Sequence, residues 1–124
     1  MRIPEGTDID RPLRVAVAAA LDRKAEDLEV LALSELSSFT DHFVICHGNS
    51  ARQVQAISDH VEEKLREIRV RPGHIEGYAG GEWILMDYVD FVIHIFSREK
   101  RRFYRLEKLW SDAPRLSLDG KAAG

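Results

Sequence analysis

Cysteine is nearly missing: Cys46 stands alone in 124 residues. A single thiol excludes an internal disulfide and a cysteine-based zinc cluster, and it suits a reducing cytoplasm, the location expected. Long apolar runs are missing too. None approaches the ~20 residues that span a bilayer, so no membrane partner is expected. The first eleven residues carry Glu5, Asp8 and Asp10 among Arg2 and Arg11. They have neither the apolar stretch of a secretory signal nor the acid-poor character of a transit peptide. Repeats and low-complexity tracts are absent. So is an excess of positive charge, because the formal net charge is −3. Nucleic-acid affinity comes largely from cations on phosphates, so the chain as a whole is a poor RNA binder. A basic protein partner fits it better.

What is present is ordinary for a soluble globular protein: 44% hydrophobic and 31% charged residues. The length fits one domain, read here as residues 1–110 followed by a flexible tail at 111–124. Helical and strand periods alternate, which predicts an α/β or α+β fold. A first helix is expected from a cap at Asp10, with Pro12 in its first turn and Leu13, Val17, Ala20 and Leu21 inward. Strands are expected at 27–33 and 43–47, with Phe39 anchoring the connector at 35–41. Ser50 and Gln53 form an S-x-x-Q capping pattern. Behind it Val54, Ile57, Val61, Leu65 and Ile68 make one helical stripe, ended by Arg71-Pro72-Gly73. A short strand at 74–78, a strand pair at 82–88 and 90–96, and a last helix at 97–110 follow. Phe103, Leu106 and Trp110 would be the inward residues of that helix.

The strand pair repays a register calculation. If Val89-Asp90 is a two-residue turn, Tyr88 faces Phe91, Asp87 faces Val92, Leu85 faces His94 and Trp83 faces Phe96. Alternation then puts Ile84, Met86, Tyr88, Phe91, Ile93 and Ile95 on one apolar face. The other face is mixed: Trp83, Leu85 and Phe96, edged by Asp87 and His94. Such a face is either a second core layer or a partner surface, in which an aromatic anchor sits within a polar ring. Glu76, Glu82, Asp87 and Asp90 nearby would suit a basic partner.

Other side chains carry less chemistry. Cys46 and His47 are neighbours in a strand and point to opposite sides, so they form no nucleophile–base pair. His94 can reach Asp87 diagonally, but no nucleophile accompanies them. His60 and His74 are expected in solvent, and no histidine set makes a metal site. Neither catalytic residues nor a cofactor are expected. Arg98, Lys100, Arg101, Arg102, Arg105 and Lys108 form a basic cluster, read first as a solvated helix face.

Several motifs in order resemble the RsfS/Iojap ribosome-silencing family. Residues 76–88, EGYAGGEWILMDY, match its E-G-x-x-x-x-x-W-[IV]-[LV]-x-D-[YF] pattern. His94 and Phe96 match an H-x-F strand, and residues 103–110 match an [FY]-Y-x-L-E-x-L-W ending. Upstream, residues 37–45 fit S-S-x-x-D-x-[FM]-[VI]-I and residues 48–54 fit G-x-S-x-R-[QH]-V. The likeness covers roughly 13–110, and linked motifs are far more specific than one alone. The resemblance implies a mixed β-sheet of about five strands flanked by helices, in a nucleotidyltransferase-like arrangement. It implies a binding protein, not an enzyme, whose partner is the large ribosomal subunit through its universal fourteenth protein. Bound there, the chain would block subunit joining and repress translation when nutrients are scarce. Trp83, Leu85, Asp87, His94 and Phe96 are the expected contacts, with Glu82 and Asp90 as electrostatic rim. A peripheral contact with ribosomal RNA and a homodimer stay open. The rival is a nucleotide- or phosphate-binding enzyme that uses the Gly48–Asn49–Ser50 turn. Nucleotidyltransferase metal chemistry needs paired carboxylates soon after such a turn. Here the first acid that follows is Asp59, and no D-x-D comes after it.

Overall fold

A computed structural model describes residues 11–33, 36, 40–116 and 122–123, the last two as backbone only. Its elements run α1 (Arg11–Asp22), β1 (Glu26–Ala32), β2 (His42–Gly48), α2 (Ala51–Glu67), β3 (His74–Glu76), β4 (Trp83–Asp87) and β5 (Phe91–Ser97). α3 (Arg98–Tyr104), α4 (Leu106–Leu109), β6 (Arg115–Leu116) and β7 (Ala122–Ala123) complete the chain. The strands form one mixed sheet in the order β3-β4-β5-β2-β1-β6-β7. β2 and β5 are parallel neighbours and every other pair is antiparallel. Five strands carry the sheet, as expected, and two-residue strands extend one edge.

Strands β2 and β5 read as near-continuous apolar runs because both faces of the sheet's centre are covered. On one face lie α1 and α2, whose Leu13, Val17, Val54, Ile57, Val61 and Leu65 pack on Val44, Cys46, Ile84, Met86, Ile93 and Ile95. Each such side chain, fully buried, contributes roughly 1.5–3 kcal/mol. α2 starts as the capping pattern requires: the Gln53 N–H donates to Ser50 Oγ at 3.0 Å. The returning bond lands one residue early, from the Asn49 N–H to Gln53 Oε1 at 2.7 Å. On the opposite face a smaller cluster of Leu31, Leu33, Phe43, Ile45, Val92, Phe96 and Ala113 lies under Leu106 and Trp110.

The last helix is the main departure. It breaks at Arg105, which adopts left-handed backbone with φ 49° and ψ 55°. The break turns α4 so that Leu106 and Trp110 close over the second cluster, as expected of them. Phe103 instead points outward and is 74% exposed, because it sits before the turn. The chain after Trp110 is not wholly a tail either. Arg115–Leu116 pair with β1, and the Ala32 N–H donates to the Pro114 carbonyl at 2.8 Å. β3 stops at Glu76, short of Tyr78, since Gly77 takes φ 78° and turns the backbone. The expected Asp10 cap and Phe39 anchor lie outside the described residues. Among the described residues no helix is long and apolar enough to cross a membrane.

Candidate functional site: the outer face of the β4–β5 hairpin

The hairpin has the register that alternation predicts: Trp83 opposite Phe96, Leu85 opposite His94, Asp87 opposite Val92. Ile84 and Met86 enter the helix-covered core, so Trp83, Leu85 and Asp87 stand on the other face, each half-buried. Their β5 neighbours fare differently. Phe96 is fully buried, and only 4% of His94 is exposed. The reason is position: β5 lies inside the sheet, beneath Trp110 and α4, whereas β4 has only the three-residue β3 outside it. This corrects the expectation that His94 and Phe96 form part of an open contact face. They belong to the layer beneath it.

That layer fixes Trp83. Its ring stacks on Phe96 with centroids 5.0 Å apart and meets Tyr104 of α3 at 4.7 Å. Its indole N–H donates to Nδ1 of His94 at 3.1 Å. His94 is in turn wedged edge-on against Phe43 at 4.6 Å, and Phe43 against Trp110 at 5.9 Å. An aromatic row thus crosses three strands and ends in a half-exposed indole with little rotational freedom. Burial pushes the His94 imidazole down to about 4, so it is neutral at physiological pH. Tyr104, 44% exposed, completes the patch. Periodicity could not assign it, since the helix break that aims it at Trp83 falls on an arginine rather than on glycine or asparagine.

The expected His94–Asp87 pair does not form. His94 Nδ1 is taken by Trp83, and Asp87 Oδ1 accepts the Val89 N–H at 2.8 Å. Asp87 Oδ2 lies 3.6 Å from His74, which also stands 3.5 Å from Glu76. Glu82 and Asp90 are exposed at the two ends of β4, so the patch carries an acidic rim. His60, expected in solvent, is mostly covered, with Nε2 at 3.4 Å from Asp22.

The Gly48–Asn49–Ser50 turn is tied to the first turn of α2 through Gln53. The Asn49 N–H and Ser50 Oγ are both engaged by Gln53, whose Nε2 further holds the Lys24 carbonyl at 3.0 Å. A phosphate would have to displace the cap. Among the described residues no three His, Cys, Asp or Glu gather to hold a metal ion.

The family model "Ribosomal silencing factor during starvation" matches residues 7–123. A Bacillus subtilis protein named ribosomal silencing factor is 42% identical over 86% of this chain and 91% of its own length. A solved structure from Chromobacterium violaceum superposes with a TM-score of 0.79, at 35% identity over 81% of this chain and 83% of that one. A mouse protein named for mitochondrial assembly of the ribosomal large subunit is 31% identical over 84% of this chain, which spans 45% of the mouse protein. With a family model matching residues 7–123 and a relative covered over 91% of its length, this chain belongs to the ribosomal silencing factor family.

Proposed function

We propose that the chain binds the large ribosomal subunit through the subunit's universal fourteenth protein. Occupying that face, it keeps the small subunit from joining and so represses translation under nutrient limitation. No bond is made or broken; the effect needs only occupancy. The observation that carries this reading is Trp83: an indole clamped by Phe96, Tyr104 and His94, half-open to solvent and rimmed by carboxylates. A preset aromatic anchor loses little entropy on binding, and binding energy concentrates at such residues. Trp83, Leu85, Asp87 and Tyr104 are the direct contacts, and Glu82 and Asp90 attract a basic partner. His94 and Phe96 act from beneath, by holding the indole. A standard interface of about 800 Å² per partner is within reach of a domain this size. The family model's description, with its reference to starvation, fits this role, as does the large-subunit role in the mouse relative's name.

Sedimentation with isolated large subunits, small subunits and joined ribosomes, followed by a joining assay, tests the proposal. It requires association with large subunits and a block of joining. Association with small subunits only, or free joining at saturation, would end it.

A further inference from the structure

A second surface lies around α3 and α4. Residues 98–115 hold seven Lys and Arg against three Asp and Glu, in a chain whose net charge is −3. Four of these cations line one open groove of about 690 Å³ together with Arg98 and Arg115 at its ends; its carboxylates are Asp27 and Glu107. A second groove of about 570 Å³, beside Asn49 and Gly80-Gly81, shares Arg98 and Arg102 with the first and adds the carboxylates of Glu82 and Glu99, so the cationic track is the first groove.

The cations fall into two groups. Arg98 pairs with Glu26 at 3.3 Å, Arg101 with Glu107 at 3.1 Å and Glu29 at 3.6 Å, and Arg115 with Glu29 at 3.3 Å. Those three arginines use the nearby carboxylates. Arg102, Arg105 and Lys108 are exposed, and no ion pair joins them to a carboxylate among the described residues. The Arg105 Nε–H donates to the Arg102 carbonyl at 3.1 Å, which keeps its guanidinium beside the groove. Phe103, exposed, lines an adjoining hollow of about 270 Å³ with Glu99, Lys100 and Arg102, so it meets the track at Arg102; Lys100 Nζ lies 5.9 Å from its ring centre.

We propose that this groove binds the phosphate backbone of RNA, through Arg102, Arg105 and Lys108, with Phe103 as a stacking surface for an unpaired base. Unpaired cations along a concave track beside an exposed ring are the elements of single-strand binding. An acidic peptide would use the cations but not the ring. The inference rests on the ribosome-binding reading for the source of the RNA, which is then the ribosomal RNA beside the protein partner. Acidic β4 and basic α3–α4 would engage partners of opposite charge, one protein and one nucleic acid.

The test is fluorescence anisotropy with a labelled single-stranded RNA of roughly 12 nucleotides, run beside binding to large subunits. With three phosphates neutralised, the RNA affinity of the unmodified chain falls about 20-fold between about 50 and 200 mM salt. The triple variant Arg102→Gln, Arg105→Gln, Lys108→Gln, checked for an unchanged circular dichroism spectrum, loses nearly all that salt dependence. Its lysine counterpart, Arg102→Lys with Arg105→Lys, keeps it. On large subunits the glutamine variant binds more weakly with a flattened salt slope, whereas Trp83→Ala binds more weakly with the slope retained. A folded glutamine variant with the original affinity and slope would overturn the inference. So would displacement of the RNA by inorganic phosphate or AMP at equal phosphate concentration, which would make the groove a small-ligand site. RNA binding with the expected slope, but none to large subunits, would support the groove and sink the ribosome-binding reading instead.

Discussion

The indole N–H of Trp83 ends on Nδ1 of His94, 3.1 Å away, so the imidazole accepts there and carries its proton on Nε2. His94 is the hinge between a buried layer and an exposed anchor. Its neutrality is a condition of the contact, since a protonated ring has no acceptor to offer.

Stability should therefore depend on pH in a defined window. Unfolded histidine takes a proton near 6.5, whereas His94 in the fold resists until about 4. Between those values the unfolded chain binds more protons, so stability is full above about 6.5, falls as pH drops and levels off below about 4. From pH 7.5 to 5 the expected loss is about 2 kcal/mol. His47, lowered first by burial and then by Arg101, adds in the same direction. Urea midpoints at the two pH values measure it. His94→Phe should be less stable than the parent yet show a shallower pH dependence; an unchanged dependence would remove His94 from the account.

Two phenylalanines should separate sharply. Phe96 is fully buried and Phe103 is 74% exposed. Phe96→Ala should cost about 3–5 kcal/mol, and Phe103→Ala no more than about 0.5 kcal/mol. Denaturant unfolding compares them, and similar costs would mean that α3 packs by its other face.

Glycine matters at two positions before the anchor, Gly77 and Gly81, both with positive φ. Gly77 takes φ 78°, and a Cβ there would run into the Trp83 carbonyl. Gly77→Ala should cost more than about 1 kcal/mol and shift tryptophan fluorescence. Gly80→Ala, whose Cβ would meet nothing closer than 3.9 Å, should do neither.

Strain at the hairpin tip gives a prediction of opposite sign. Val89 sits at φ 72°, with the Asp90 N–H donating to the Tyr88 carbonyl at 2.9 Å across a tight three-residue turn. A β-branched residue is ill suited to that backbone. Val89→Gly should raise stability by up to about 1 kcal/mol, read as a higher melting temperature. A clear loss would mean that the valine makes contacts worth more than the strain.

The parts of this fold with a strong period were legible in the sequence. The α2 stripe, its Ser50 cap and the β4–β5 register follow from spacing and alternation, because each has one physical solution that buries its apolar set. The break at Arg105 was not legible. Nothing local favours left-handed backbone at an arginine; the packing of Leu106 and Trp110 over the second cluster imposes it. With the helix read as unbroken, Phe103 fell on the inward side and Tyr104 went unassigned. The burial of His94 was hidden for a related reason. Alternation tells which face a residue occupies, but not whether another layer covers that face. Arg115–Leu116 is too short to show any period, and Pro114 before it argued for an ending.

We propose docking on the universal fourteenth protein of the large subunit through the Trp83 face. Titration calorimetry with that purified protein tests it directly, using the parent chain, Trp83→Ala and Glu82→Lys with Asp90→Lys. The expected result is a one-to-one complex, lost with folded Trp83→Ala and weakened about tenfold by the charge reversals, roughly 1.4 kcal/mol. No complex with the parent chain, or undiminished binding by a folded Trp83→Ala, would contradict it.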